Sequence, residues 1–549
     1  MKTALGPAAG PLPGSYDHTS HADRQQQDAG FAFAVVRVRT AHGRLATPDL
    51  LKVDSLDKPP RISIASDLAI SRIVTGLWQV ADQEKGGRTL DPDRAADHLA
   101  EYAAAGFDTF DMADHYGSAE VITGRLLARS MAGQGLRPLA FTKWCPEPGP
   151  MTREAVRAGI DRARSRLGVE RIDLLQFHWW SFDHLAYLDA ARELAILQRD
   201  GVIGHIGVTN FDTDHLRLLT KNQVPVLTNQ VSFSLLDRRA AGEMSTFCIR
   251  NGVKLLAYGT LAGGLLSERW LGTPEPAAEA IEDWSKSKYK RFVDAIGGWA
   301  AFQGLLATVA RIAKKHGVSI ANVATRWVLD HPAVAAVIVG ARLGENEHRA
   351  DNLRTFAFTL DDGDRDEIDA ALAGTQPLPG DCGDEYRKPP FLTASGDLSH
   401  HLAGIEPYYR ATPVAGRPER SRVDTGSLWE PICGYSRAVR VGTRIFVSGT
   451  TATHGSGDVV CASDPAGQAT FILDKISASL KALGATPADV VRTRIYLKDA
   501  DDWEAVSRVH GRVFGEVRPA NTLLEVSRLV GDYLVEIEAE AEVSPQSAG

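Results

Sequence analysis

Two side chains able to move a proton stand close together in the stretch FDTFDMADHYGSAE, residues 107–120. Asp111 supplies a carboxylate, and Tyr116 supplies a phenol five residues later. A phenol is a poor acid in water, with a pKa of about 10, but a neighbouring cation stabilises its phenolate and makes it a useful proton donor. The sequence therefore raises the question of which cation lies beside Tyr116.

A lysine and a histidine follow near the ends of the next two strand-like runs. Lys143 belongs to the run LAFTKW, and His178 belongs to the run DLLQFHW. On a shared face, Asp111 would keep the ammonium of Lys143 charged, that ammonium would acidify the phenol, and His178 would orient a substrate oxygen. Each residue alone is more often part of a structural ion pair or a protein core, so the prediction of a catalytic group depends on all four.

Strand-like runs alternate with helical patterns from about residue 60, and this arrangement can bring the four groups to one rim. Eight runs are predicted as strands: 73–80, 107–113, 139–144, 173–179, 203–210, 227–233, 253–260 and 335–341. Helical stretches such as 92–106, 153–168 and 319–332 lie between them. The alternation predicts an α/β fold, a (β/α)8 TIM barrel, whose reactive groups lie at the carboxyl ends of the strands. A doubly wound open sheet is the alternative, but no G-x-G-x-x-G follows the first strand.

Residues from about 60 to 375 resemble the aldo-keto reductase superfamily in the segments that carry these groups. FDTFDMADHYG is similar to that family's Asp/Tyr motif, FTKW to its lysine segment and LLQFHWW to its histidine segment. The resemblance implies hydride transfer between a nicotinamide cofactor and a carbonyl or alcohol. Asp111, Tyr116, Lys143 and His178 would be the catalytic tetrad, with Tyr116 donating a proton to the developing alkoxide.

The resemblance also implies a set of cofactor-binding residues, carried by GVTNF, NQVSFSLL, AYGTLAGGLL and VGARLGENEHRADN. The residues implied are Thr209, Asn210, Gln230, Tyr258, Gly259, Leu261, Gly263, Arg342, His348 and Asn352. A guanidinium at Arg342 can hold a 2′-phosphate through two hydrogen bonds, which favours NADP(H) over NAD(H). The alternative interpretation of this last segment is a helix N-terminal turn with solvated charges.

Four tryptophans follow strands at the same end of the predicted barrel: Trp78, Trp144, Trp179 and Trp180. Flat rings at such positions can wall a substrate pocket, and Trp78, Trp144 and Trp179 are predicted to do so. They can equally pack against loops. The resembling family uses the same tetrad on sugars, aromatic aldehydes, ketones and steroids, so the resemblance names no single substrate.

The sequence predicts four parts: a mostly disordered segment at 1–55, the barrel at 56–375, a Pro/Gly-rich linker at 376–425 and a small α+β domain at 426–549. Within the first part, only FAFAVVRVRT at 31–40 resembles a strand. In the last part the runs follow the order strand, strand, helix, strand, helix, strand, strand. That order predicts one sheet packed against two helices.

The C-terminal part resembles the Rid (RidA-like) family of imine and enamine deaminases, which has a chorismate mutase-like fold. The segments concerned are GYSRAVRVGTRIFVSG, DVVRTRIYLKD, RPANTLLEV and LVEIEAEAEV. The resemblance implies a pocket containing Tyr435, Asn521 and Glu536, and a trimer with pockets between subunits. Asn521 stands where the deaminases have a carboxylate-binding arginine. A neutral amide cannot make that charge-assisted contact, so a binding or oligomer-forming module is favoured over amino-acid imine hydrolysis.

Composition excludes several classes of protein. A net charge of −8 without long runs of like charge argues against a nucleic-acid partner. The five cysteines show no C-x-x-C pair and no metal-ligand spacing, so neither a disulfide framework nor a metal site is predicted. No apolar run is long enough to span a membrane, and the N-terminus lacks the apolar region of a signal peptide, which makes the cytoplasm the expected location.

The leading hypothesis is an NADP(H)-dependent aldo-keto oxidoreductase whose C-terminal domain serves oligomerisation or metabolite binding. A small carbonyl or alcohol would be its substrate, and a homo-oligomer, such as a trimer through the C-terminal domain, its assembly. Two alternatives remain open. The C-terminal domain could be an unusual imine or enamine deaminase, or the barrel could be a non-catalytic redox sensor that binds NADPH.

Overall fold

The computed structural model describes residues 57–80, 90–131, 137–277, 281, 284–344, 348–388 and 404–544. The segment predicted to be mostly disordered at 1–55, with its strand-like run at 31–40, lies outside these residues. All eight strands predicted for the barrel lie within them.

Eight parallel strands close into a barrel in the order β10-β3-β4-β5-β6-β7-β8-β9. They are β3 (Ile73–Gly76), β4 (Thr109–Ala113), β5 (Leu139–Trp144), β6 (Ile172–His178), β7 (Ile203–Thr209), β8 (Val226–Ser232), β9 (Lys254–Tyr258) and β10 (Val334–Gly340). Each lies within a residue or two of its predicted start, and the predicted (β/α)8 fold is confirmed. Several end earlier than predicted, so that Asn210 and Gly259 lie in the loops that follow β7 and β9.

Twelve α-helices accompany the barrel among the described residues. They are α1 (Pro92–Ala104), α2 (Ala119–Met131), α3 (Arg153–Leu167), α4 (Tyr187–Arg199), α5 (Thr213–Lys221), α6 (Glu243–Asn251), α7 (Trp284–Ala295), α8 (Gly298–His316), α9 (Ile320–Leu329), α10 (Arg349–Arg354), α11 (Asp362–Ala373) and α12 (Asp384–Arg387). Helix α3 shows why the pattern folds this way: Thr152 caps its start by accepting a hydrogen bond from the amide of Ala155, and Gly168 ends it at φ +64°.

A hairpin closes one end of the barrel and leaves the other end for a site. Strands β1 (Arg61–Ala65) and β2 (Leu68–Ser71) pair antiparallel just before β3 begins. Ile64, Leu68 and Ile70 of this hairpin pack against the apolar side chains inside the barrel. The amino ends of the strands are therefore covered, and the carboxyl ends form the accessible mouth.

A second sheet of seven strands follows, in the order β11-β12-β13-β14-β17-β15-β16. Its strands are β11 (Ala411–Val414), β12 (Arg417–Val423), β13 (Ala438–Val441), β14 (Arg444–Thr451), β15 (Val490–Leu497), β16 (Ala520–Glu525) and β17 (Val535–Glu542). Its helices are α13 (Trp429–Cys433), α14 (Pro465–Ala482) and α15 (Trp503–Phe514). The predicted sheet with two helices is confirmed, but β11 and β12 lie inside the segment predicted as a linker, so the sheet begins before residue 426.

The barrel and this second domain belong to one compact unit. Helix α14 is buried on nearly all sides because its own sheet covers one face and barrel helix α5 contacts the other. Among the described residues, no single helix is long and apolar enough to cross a membrane; α7 and α8, which meet at a bend of 98°, pass that test only as a pair.

Candidate active site

Asp111 and Lys143 of the predicted tetrad form a buried ion pair. Asp111 lies on β4 and Lys143 on the adjacent β5, so their side chains reach the same mouth. The Nζ atom of Lys143 donates to Oδ2 of Asp111 at 2.6 Å and to the carbonyl of Met112 at 3.2 Å. Both side chains are only 4–5% exposed, so the carboxylate fixes the position of the ammonium in a dry environment.

Two glutamines hold the second oxygen of the carboxylate. Oδ1 of Asp111 accepts hydrogen bonds from Nε2 of Gln176 at 2.8 Å and from Nε2 of Gln230 at 2.7 Å. Gln230 also donates to Oε1 of Gln176. Gln176 was not predicted from the sequence, and Gln230, predicted to hold the nicotinamide, bonds to Asp111 in this structure.

The phenol of Tyr116 lies beside the ion pair. The chain turns after β4, where the amide of Tyr116 donates to the carbonyl of Ala113. The Nζ atom of Lys143 is 5.1 Å from the centre of the Tyr116 ring. The rings of Trp78 and His115 each meet the phenol edge-on, with ring centres 4.9 Å apart, and so limit its rotation.

His178 completes the group as a neutral imidazole. Burial, together with the positive charge of Arg387, holds the pKa of His178 well below its usual range. Its Nδ1 atom is 3.2 Å from the carbonyl of Thr209, which can only accept, so the neutral ring carries its proton on Nδ1. The buried Nε2 atom has no hydrogen-bond partner among the described residues, so it can accept a hydrogen bond from a ligand.

One cavity of about 580 Å³ at the mouth of the barrel joins these residues with the predicted cofactor set. All four tetrad members line it. So do all the predicted cofactor-binding residues: Thr209, Asn210, Gln230, Tyr258, Gly259, Leu261, Gly263, Arg342, His348 and Asn352. The hydroxyls of Thr209 and Thr260 are buried on this cavity without a partner among the described residues, which fits a polar ligand such as a dinucleotide.

The loop after β9 requires glycine at its first position. Gly259 has φ +70°, and a Cβ atom there would lie 2.2 Å from the hydroxyl of Tyr289. The absent side chain lets the backbone pass between Tyr289 and the cavity. Gly263, at φ +64°, repeats this left-handed conformation further along the same loop. Both positions therefore leave backbone groups accessible to a ligand at the mouth.

Two of the predicted pocket tryptophans do not line the cavity. Trp78 does, and so does Trp180, whose ring centre is 4.3 Å from that of His178. Trp179 is fully buried, and its indole donates to the carbonyls of Ser181 and His184. Trp144 is 4% exposed and packs against Gly159 of α3. Because successive side chains of a strand point to opposite faces, these two rings face the helices rather than the mouth.

The segment after the barrel contributes residues that sequence reasoning missed. Tyr386, on α12, lines the cavity, and its ring centre is 5.9 Å from that of His178. Its hydroxyl lies 2.7 Å from Nζ of Lys288 and 3.2 Å from the hydroxyl of Tyr258. Buried Glu385 anchors this helix by pairing with Arg239 at 2.9 Å. The only sequence signal was a Tyr in a polar segment, which is too common to single out.

A second anchor ties the same helix to the cofactor loop. Arg387 donates from Nη1 to the carbonyl of Asn210 at 2.6 Å, and its guanidinium lies 4.3 Å from the centre of the Phe182 ring. Asn210 itself has φ +57°, an uncommon conformation that these contacts help to hold. Helix α12 therefore closes one side of the mouth.

The predicted pocket of the C-terminal domain is not assembled within one chain. Asn521 on β16 pairs with Thr493 of β15, whereas Glu536 on β17 pairs with Tyr496. Their Cα atoms are therefore offset by three residues along the strands and by two strand spacings across the sheet. Together these offsets amount to roughly 14 Å. Asn521 is exposed and accepts from the Thr493 hydroxyl, while burial raises the pKa of Glu536. Tyr435 is 36% exposed and lies beside Arg437.

Comparison with known proteins gives two matches to family models. Residues 72–373 match the model described as the aldo/keto reductase family, and residues 426–543 match the model described as endoribonuclease L-PSP. The chain is 24% identical to the NADH-specific methylglyoxal reductase of Escherichia coli strain K12, over 54% of this chain and 94% of that protein. It is 38% identical to a RutC family protein of Pyrococcus abyssi, over 20% of this chain and 88% of that protein.

A third relative is much longer than the region it shares with this chain. The chain is 35% identical to flagellar radial spoke protein 5 of Chlamydomonas reinhardtii over 226 residues, which are 36% of this chain. The match spans 42% of the length of that relative.

Proposed function

The chain belongs to the aldo/keto reductase family, and on that premise we propose that it is an NADP(H)-dependent oxidoreductase acting on a small carbonyl or alcohol in the cytoplasm. One observation carries the proposal. The Asp111–Lys143 ion pair lies beside Tyr116 in a cavity that also contains the unpartnered Nε2 atom of His178. The residues predicted for the dinucleotide line the same cavity.

Each member of the tetrad has a separate part in the proposed reaction. The nicotinamide, when bound, supplies or accepts the hydride. Tyr116 donates a proton to the substrate oxygen as negative charge develops there, and the ammonium of Lys143 stabilises the phenolate that remains. Asp111 keeps that ammonium charged and in place. Neutral His178 accepts a hydrogen bond at Nε2 once the substrate oxygen carries a hydrogen, which also suits the reverse reaction on an alcohol.

The proposal is tested by following NADPH oxidation with a panel of aldehydes, ketones and sugars, beside NADP⁺ reduction with alcohols. Turnover with at least one class is expected. Tight NADPH binding by fluorescence, with no turnover on any compound, would instead favour a redox sensor. Cofactor-independent hydrolysis of an imine would favour a deaminase in the C-terminal domain.

Replacing Arg342 by alanine is expected to weaken NADPH binding by about tenfold or more, because a charge-assisted hydrogen bond is worth about 1.5–3 kcal/mol. NADH, which lacks the 2′-phosphate, should bind nearly as before. Fluorescence titration of both cofactors measures this difference. The matched control is Arg349→Ala, since Arg349 pairs with Glu101 and does not line the cavity.

An equal effect of Arg342→Ala on both cofactors would contradict NADP(H) preference. That outcome would agree with the name of the related E. coli methylglyoxal reductase, which is called NADH-specific. Arg342 would then act only as general positive charge at the rim.

For the C-terminal domain we propose self-association. An exposed apolar cluster lies on and beside the short helix α13: Leu428 is 71% exposed, Trp429 60% and Ile432 62%. Large apolar side chains grouped in this way mark an interaction surface. Tyr435 adjoins the cluster, so a second copy docked here would lie next to one residue of the predicted pocket.

Ile432→Asp is expected to convert the assembly into monomers, because a charge buried in an apolar interface lacks a partner. Light scattering after size-exclusion chromatography measures the molar mass. Val530, which is 92% exposed and outside the α13 cluster, provides the control as Val530→Asp. A monomeric wild-type protein, or an unchanged mass for Ile432→Asp, would contradict the proposed interface.

A further inference from the structure

Three side chains with metal-binding atoms meet where β4 and β5 end, next to the catalytic tetrad but outside it. Asp114, His115 and Cys145 each offer one ligand atom, and these atoms lie within 4.8 Å of one another. Asp114 and His115 follow β4, whereas Cys145 follows β5. Because the group is assembled from two strands, no spacing in the sequence reveals it.

The backbone and hydrogen bonds hold the three side chains in place. Oδ2 of Asp114 accepts from the amide of Cys145 at 3.1 Å, and Oδ1 lies 3.1 Å from Nδ1 of His115. The amide of Asp114 donates to the carbonyl of Lys143, which locks the end of β4 against that of β5. Arg166 also donates to the carbonyl of Asp114. The group therefore needs little rearrangement to accept an ion.

A carboxylate, an imidazole and a thiolate form a ligand set suited to zinc. Bonds of about 2.0–2.3 Å to a tetrahedral ion place ligand atoms roughly 3.3–3.8 Å apart, so a contraction of about 1 Å suffices. A coordinated ion deprotonates a thiol, so binding of the ion would release the Cys145 proton to solvent.

We propose that Asp114, His115 and Cys145 bind one thiophilic divalent cation of the Zn²⁺ type, with its fourth coordination position facing the active-site cavity. His115 and Cys145 both line that cavity. The charges of the ion, the carboxylate and the thiolate sum to zero, so the occupied site itself carries no net charge beside Lys143. Three protein ligands with one open position are the arrangement of an accessible zinc site rather than a closed structural one.

Occupancy of this site blocks the mouth of the barrel. The ring centre of His115 is 4.9 Å from that of Tyr116, so an ion and its bound water take up space next to the phenol. Zinc is therefore a reversible inhibitor of carbonyl reduction. This consequence rests on the proposed oxidoreductase function, whereas the binding of the ion does not.

Cobalt titration of the tag-free full-length protein tests binding without using activity. One equivalent of Co²⁺ should produce thiolate-to-cobalt charge-transfer absorption and visible bands of a tetrahedral ion, and Zn²⁺ should abolish both. Cys145→Ser should remove the charge-transfer band, and Asp114→Asn should weaken zinc binding by at least about tenfold. Cys433→Ser is the matched control, because Cys433 is exposed and far along the chain from the group; its spectrum should equal that of wild type.

A charge-transfer band that persists in Cys145→Ser, or is absent from wild type, would overturn the proposal. A second measurement avoids substitution altogether. Zn²⁺ should protect Cys145 of the wild-type protein from alkylation by iodoacetamide, while Cys433 continues to react, as read by mass spectrometry. Equal alkylation of Cys145 with and without Zn²⁺, at a pH at which the metal-free thiol reacts, would also overturn it. Protection of Cys145 without inhibition of turnover would leave the site in place and contradict only the blocking of the mouth.

Discussion

Replacing Tyr116 by phenylalanine is expected to lower kcat/KM for carbonyl reduction by roughly 10²–10⁴-fold, the range for loss of a general acid. The substitution removes one hydroxyl and keeps the ring that packs against Trp78 and Lys143. NADPH affinity should therefore stay within a few-fold of wild type. Steady-state NADPH oxidation with the best carbonyl of the panel measures the first quantity, and cofactor fluorescence measures the second.

The control for this experiment is a second tyrosine, which lies away from the cavity. Tyr102 is buried on α1 and does not line the cavity. Tyr102→Phe should retain turnover. A Tyr116→Phe protein as fast as wild type would remove Tyr116 as the proton donor. A loss of NADPH affinity as large as the loss of rate would instead assign the hydroxyl to cofactor binding.

The barrel was predictable because its strands are buried on both faces and read as short apolar runs between helical patterns. The grouping of the four predicted tetrad residues at one mouth was predictable because they lie at or just beyond the ends of three consecutive strands. The contact of Gln176 with Asp111 was not predictable, since a fully buried glutamine two residues before His178 looks like an ordinary strand residue. Lys288 and Tyr386 lie 98 residues apart, and only folding brings both to Tyr258. Contacts of this kind leave no local pattern.

Strand β12 shows a second limit of sequence reasoning. The segment RPERSRV buries only Val423, because it is solvated over most of its length. An apolar–polar alternation is the signal of a strand, and β12 lacks it. A proline also suggested a loop, although proline is tolerated in strands near a sheet edge. The segment predicted as a linker thus contains two strands, which the backbone pairing of the sheet defines.

The contact between the two domains was also not predictable from the sequence, because polar residues make it. Asp474 lies on α14 of the C-terminal domain and is buried against the barrel. Oδ2 of Asp474 accepts from the hydroxyl of Tyr187 at 2.6 Å and lies 3.2 Å from Nε2 of His215. On the other side of the ring, Nδ1 of His215 is 2.8 Å from the carboxylate of Asp212. His215 is therefore an imidazolium held between two carboxylates.

The two sides of this contact respond differently to burial. Burial lowers the pKa of His215, but Asp212 and Asp474 overcome it and raise that pKa to about 10. Burial raises the pKa of Asp474, in spite of the neighbouring imidazolium. The charge of Asp474 is thus costly to bury, whereas that of His215 is strongly stabilised. Removing the Asp474 charge leaves the imidazolium with one partner fewer, so the contact loses the interaction that offsets burial of both groups.

Asp474→Asn is expected to lower the free energy of unfolding by about 3 kcal/mol at pH 7, because it breaks a buried ion pair from one side. The amide keeps the shape of the carboxylate, so the loss reports charge rather than packing. Differential scanning calorimetry of the full chain measures it as a lower melting temperature. Asp532→Asn, at an exposed position of the same domain, should leave the melting temperature unchanged.

The same contact predicts how stability depends on pH. The pKa of His215 is about 10 in the folded protein and about 6.5 in an unfolded chain, so its stabilisation is complete below pH 6.5 and is lost as pH rises through 10. The melting temperature of wild type should therefore fall between pH 7 and pH 10. The fall should be shallower in Asp474→Asn, where Asp212 alone raises the pKa of His215. Parallel profiles for the two proteins would mean that Asp474 and His215 do not share a proton equilibrium, and that the domains are held together by the surrounding apolar contacts instead.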